Sequence, residues 1–142
     1  GPVLASGLIA WLYPIERFPK VSKLWSYCGL APGQKRKRGE KLNYNPRLKT
    51  LCWKIWNSFI KVKGKYREFY LKFKEDCKRK HPDWTKLHIH NYAGRKTVKL
   101  FLSHLWETWR KLEGLPITEP YPIHILGHSE LIPPFTDKEV LS

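Results

Sequence analysis

The sequence predicts an all-α domain, and three observations carry that prediction. Several segments repeat their apolar residues three or four positions apart. No stretch shows a dependable strand pattern or an internal repeat. One helix start, Asn45-Pro46, carries both the cap residue and the proline that favour it. The expected architecture is a compact multi-helix domain over residues 1–114, with an extended Pro-rich arm over residues 115–142.

In chain order, Leu4, Leu8, Ile9 and Leu12, with small Ala5 and Gly7, predict a short, closely packed first helix. Gly1-Pro2 is also what a tag-removing protease leaves behind; read as native, it looks like the back half of a helix-hairpin-helix. Tyr13-Pro14 breaks that helix and Phe18-Pro19 introduces the next. There Val21, Leu24, Trp25 and Cys28 form the apolar side, and Gly29 with Ala31-Pro32-Gly33 closes it. A loop then packs Lys35, Arg36, Lys37, Arg38 and Lys41 into a few residues. The Asn45-Pro46 helix follows, with Leu48, Leu51, Cys52, Ile55, Phe59 and Ile60 as its stripe and an end near Val62. Tyr66, Phe69, Tyr70, Phe73 and Cys77 define a helix from about Lys65 to Lys80, closed by His81-Pro82-Asp83. Residues 83–90 form a turn or open a long helix reaching Glu113. That helix would bury Val98, Phe101, Leu102, Leu105, Trp106, Trp109 and Leu112, and Gly114 is its stop. Pro116, Pro120, Pro122, Pro133 and Pro134 then exclude regular helix. Ile123, Ile125, Leu126 and Ile132 are too apolar for a free tail, so the arm should pack on the domain or on a partner.

Lys and Arg outnumber Asp and Glu by 27 to 12, a formal charge of +15. Self-repulsion on that scale makes a polyanionic partner the economical explanation: nucleic acid first, an anionic membrane surface second, a merely basic surface as the bland alternative. No apolar run has the length of a membrane span. Three cysteines, Cys28, Cys52 and Cys77, are an odd number without framework spacing, which fits a reducing, cytoplasmic setting. The expected phosphate contacts are Lys35, Arg36, Lys37, Arg38 and Lys41, the helix start Asn45 with Arg47 and Lys49, and secondarily Arg95, Lys96 and Lys99. For that last cluster a solvated helix face is the commoner meaning.

Catalytic chemistry is poorly represented. Ser6, Ser22, Ser26, Ser58, Ser103, Ser129 and Ser142 are scattered, none beside an evident base or glycine elbow, and no acidic pair suggests a two-metal site. Cys77, His81, His88 and His90 have ligand chemistry suited to zinc, in the spacing C-x3-H-x6-H-x-H. That is no standard finger, and His88 and His90 would leave a helix on different sides, so ordinary helix-end histidines are the favoured reading. No metal or other cofactor is assigned.

Three stretches, GPVLASGLIAWL, LWSYCGLAPG and RGEK followed by NYNPRLKTLCWKI, resemble the C-terminal domain of insertion-sequence transposases of the 116/110/902 type. YREFY, KLHIHNYAGRKTVKLFLSHLW and the segment from GLP to ITEPYPIHILGHSELIPP resemble an archaeal-like subgroup. The resemblance implies a fragment of a bridge-RNA-guided recombinase. In that family an N-terminal RuvC-like domain holds metal on four acidic residues, and the C-terminal domain supplies a serine thought to attack DNA. It implies DNA as partner, with a structured guide RNA and other copies of the chain as further candidates. The family's serine lies in the loop before the Asn45 helix, yet residues 34–44 contain neither serine nor threonine. No catalytic residue is therefore carried over, whereas the loop's backbone-contacting role is. An RNA-binding accessory or domesticated protein, stacking bases on Tyr44, Tyr92 and exposed tryptophans, is the competing expectation.

Overall fold

The computed structural model describes residues 2–30 and 44–117. These form α1 (Pro2–Leu12), a short 3-10 turn (Ile15–Arg17), α2 (Val21–Tyr27), α3 (Pro46–Lys61), α4 (Lys65–Lys80) and α5 (Lys86–Leu112), with no strand among them. The all-α prediction holds. The basic loop at Lys35, Arg36, Lys37, Arg38 and Lys41 lies outside the described residues, as do Gly1 and the arm from residue 118 onward.

The longest helix, α5, is the element on which the others assemble. It packs most extensively against α4, then α3, then α2, while α1 packs on α3. The main core joins Leu8 and Leu12 of α1, Val21, Leu24 and Trp25 of α2, Leu48, Cys52, Ile55 and Trp56 of α3, and Val98, Leu102 and Trp106 of α5. Each such aliphatic side chain removed from water contributes about 1.5–3 kcal/mol before entropy is charged against it. A second cluster, Tyr66, Tyr70 and Phe73 of α4 with Ala93 and Leu100 of α5, is joined to the first through Phe59, Ile60 and Phe101.

Helix limits follow local chemistry. α2 ends in a Schellman motif: Gly29 has φ 75°, its N–H donates to the Ser26 carbonyl at 3.0 Å, and the Leu30 N–H donates to that of Trp25 at 2.9 Å. The same device closes α5 at Gly114, where φ is 69° and the Leu115 N–H donates to Arg110. Thr85 caps α5 by accepting from the His88 N–H at 3.2 Å, so residues 82–84 are the turn and the long helix starts at Lys86.

Two expected core residues face solvent instead. Ile9 is exposed because Leu8 and Leu12, four apart, hold the inward face and Ile9 projects about 100° away from it. Leu112 is 82% exposed. Arg110 turns inward in its place, where its Nε donates to the Pro116 carbonyl at 2.9 Å and Nη1 to that of Phe18 at 3.3 Å. Trp56, absent from the expected stripe of α3, is buried, and the reason lies on α5: at Gly94 the helix backbone is bare, and the indole fills that space.

Candidate nucleic-acid interface

The described flanks of the basic segment are fixed to one another. The Asn45 N–H donates to the Tyr27 carbonyl at 3.0 Å, tying the start of α3 to the end of α2 across residues 31–43. The Asn45 Oδ1 accepts from the N–H groups of Arg47 at 3.0 Å and Leu48 at 3.2 Å. Pro46 has no N–H to offer, and the Lys49 N–H already donates to the Asn45 carbonyl. The N-terminus of α3 therefore keeps its positive dipole end but has no uncommitted backbone donor among these residues. An anion there would be held by side chains, and Arg47 and Lys49 are both exposed.

Around this junction the side chains interlock. The Lys49 Nζ sits over the Tyr44 ring, 5.0 Å from its centroid. A Cβ on Gly29 would come within 2.9 Å of both Lys49 and Tyr44, so the glycine is required by its φ and by the close approach of its neighbours. The Tyr27 phenol is held below its ordinary pKa by hydrogen bonds with Asn45 and then Arg17. Arg17 lies 5.1 Å from the ring centroids of both Tyr27 and Phe18, and its Nη1 donates to the Tyr13 carbonyl at 3.1 Å. Arg17 thus joins the junction as a cation that sequence spacing could not single out, since it sits alone between two helices.

Arg95, Lys96 and Lys99 of α5 do not share one face. Arg95 is exposed. Lys96 leans toward α4, its Nζ 5.1 Å from the Phe73 centroid and 5.5 Å from that of Tyr92. Lys99 leans the other way, only 9% exposed, with Nζ 5.2 Å from the Trp25 centroid. Burial lowers the pKa of both lysines. What reads along the chain as one basic turn is one solvent cation and two cations lying over aromatic rings.

The zinc-type residues are likewise dispersed. His81 and His88 stack on Trp84, His90 shares a 2.6 Å hydrogen bond with the Tyr70 hydroxyl, and Cys77 is a buried thiol of α4. Among the described residues no three His, Cys, Asp or Glu side chains gather as a metal-binding group. Cys28 and Cys52 are buried core thiols; a hydrogen bond between them, then burial, pushes the Cys28 pKa far up. Ser58 has its hydroxyl bonded to the Ile55 carbonyl at 2.7 Å. Ser103 is buried and bonded to the Leu100 carbonyl at 2.8 Å. Both hydroxyls donate to carbonyls of their own helices.

The family model described as Transposase IS116/IS110/IS902 family matches residues 1–71, from α1 through the junction to the first turns of α4. This chain belongs to that transposase family. The matched residues include both flanks of the basic segment, whereas α5 lies beyond them. The transposase domain thus completes its core with a helix outside the matched region. No curated protein matches the chain, and no solved structure does. No helix among the described residues is long and apolar enough to cross a membrane.

Proposed function

We propose that this chain is the DNA-binding C-terminal domain of a transposase and site-specific recombinase. In this reading Lys35, Arg36, Lys37, Arg38 and Lys41 meet the phosphate backbone together with Arg47 and Lys49. One observation carries the proposal: the most cationic segment of a +15 chain is strung between two helix ends tied together by the 3.0 Å Asn45–Tyr27 hydrogen bond. Flanks fixed to one another suit a segment that meets a phosphate backbone in register rather than by diffuse attraction. Asn45 acts here by positioning Arg47 and Lys49, because its side-chain oxygen is spent on the cap. Of Arg95, Lys96 and Lys99, Arg95 is the cation best presented for a secondary contact, since the other two lie over aromatic rings. Strand transfer itself is assigned to no residue of this chain.

Salt dependence of duplex DNA binding tests this reading. Each cation meeting a phosphate adds about 0.9 to the slope of log affinity against log salt. Replacing Lys35, Arg36, Lys37 and Arg38 together by alanine should flatten that slope by several contacts. A slope unchanged in the fourfold variant would place the contacts elsewhere. Competition between duplex DNA and structured RNA at fixed salt separates this function from that of an RNA-binding accessory protein, which a strong RNA preference would favour.

A further inference from the structure

Far along the chain from the basic segment, at the connection of α4 to α5, three rings form a short column. The imidazole of His81 lies 3.9 Å from the Trp84 ring at an interplanar angle of 9°, and that of His88 lies 3.9 Å away at 10°. Tyr92 meets Trp84 edge-on at 5.6 Å. Near-parallel plates at this separation have the geometry of a stack of bases, and His88 at one end of the column is exposed. Exposed cations flank it: Lys80 ends α4 and Lys86 begins α5. Lys78 and Arg79 are engaged with Glu75 at 3.5 Å and Asp76 at 2.8 Å. Among the described residues no acidic side chain lies within ion-pair distance of Lys80 or Lys86.

A column whose work was only to close the helix connection would need no exposed terminal plate, because Thr85 already caps α5 and the Trp84 N–H already closes the turn on the His81 carbonyl. We infer that the His81–Trp84–His88 column is a second nucleic-acid site that takes an unpaired nucleotide of a single strand. The base stacks on the outer face of His88 and extends the column by one plate, while Lys80 and Lys86 hold the adjoining phosphates. Every base has a π face, so the site is indifferent to sequence but selective for unpaired over paired strands. It does not rest on the basic segment, and it succeeds or fails apart from it.

The test uses the whole chain with a fluorescent oligothymidine, the matching oligouridine and a duplex of the same length. Binding is measured for wild type, His88→Ala, the pair Lys80→Gln with Lys86→Gln, and the fourfold alanine variant of Lys35 to Arg38. His88→Ala should weaken single-strand binding about tenfold and leave duplex binding unchanged, whereas the fourfold variant should lose duplex affinity and keep the His88-dependent single-strand component. The relative response of oligothymidine and oligouridine tells whether the strand is DNA or RNA. Equal losses on single strand and duplex, or no loss for His88→Ala, would overturn the site. On the wild-type chain, iodouracil-substituted single strands should photocrosslink to residues 81–88; crosslinks confined to other peptides would overturn it as well.

Discussion

The indole of Trp56 occupies the space that a side chain at residue 94 would need: a Cβ built on Gly94 would fall well inside the van der Waals contact distance of three Trp56 ring atoms. α3 and α5 meet at this contact, and the Trp56 ring in turn meets His90 edge-on at 5.1 Å.

That fit decides the sign of one substitution. Gly94→Ala gains about 1 kcal/mol of helix propensity in a helix interior, but overpacking a close-packed core costs typically 1–3 kcal/mol. Trp56 is only 3% exposed and cannot swing aside cheaply. Gly94→Ala should therefore lower stability, read as an earlier urea midpoint. A later midpoint would show that α3 slides away at little cost.

The cap of α3 makes a second prediction. Asn45→Ala removes the acceptor of the Arg47 and Leu48 N–H groups and should cost about 1 kcal/mol, whereas Asn45→Asp should retain most of the stability. The same alanine variant frees two backbone donors at the helix start. If α3 contacts phosphate through Arg47 and Lys49 alone, its salt slope on duplex DNA stays that of wild type.

Among the individual cations the expected order is set by exposure. Arg47→Gln and Lys49→Gln should each lower the salt slope by about 0.9 if their cations meet phosphates. Lys99→Gln should leave it nearly unchanged, since the Lys99 ammonium lies over Trp25 and is 9% exposed. Filter-binding or fluorescence titrations at several salt concentrations measure all three. A large slope change for Lys99 alone would reverse the assignment.

Alkaline pH reports on the second cluster. The Tyr66 hydroxyl and His104 Nδ1 are 2.9 Å apart and buried. Burial raises the Tyr66 phenol above its ordinary 10.0. The unfolded chain releases this proton near pH 10.0 while the folded chain keeps it. The contribution of Tyr66 to stability is therefore complete below that pH and is lost as pH climbs through the folded-state value. Tyr66→Phe should be less stable than wild type near neutral pH, by about 1 kcal/mol for the lost hydrogen bond. It should also lose stability less steeply above pH 10.0. Urea midpoints across that range compare the two proteins directly. Parallel pH profiles would mean that Tyr66 ionises without opening the fold. The comparison is needed because Lys96 and Lys99, lowered by burial, act with the opposite sign: their unfavourable burial is relieved as pH rises toward 10.5.

The sequence by itself determined where the helices lie. The Asn45-Pro46 start of α3, the extent of α4 from Lys65 to Lys80, and the glycine stops at Gly29 and Gly114 were all legible, because caps, φ preferences and three-to-four spacing act within a few residues of chain. The family was legible too, in motifs that span the junction. Only the tertiary structure decided which cations point where. Arg95, Lys96 and Lys99 are neighbours on one helix, yet packing of α4 on one flank and α2 on the other draws two of them over separate rings. Arg17 joins Tyr27 and Asn45 at the base of the basic segment, His81 and His88 sandwich Trp84 rather than converging with Cys77, and Trp56 finds its place only because Gly94 lies opposite. Each of these depends on atoms distant along the chain, and the period of a single helix says which face a residue occupies but not what another helix brings against it.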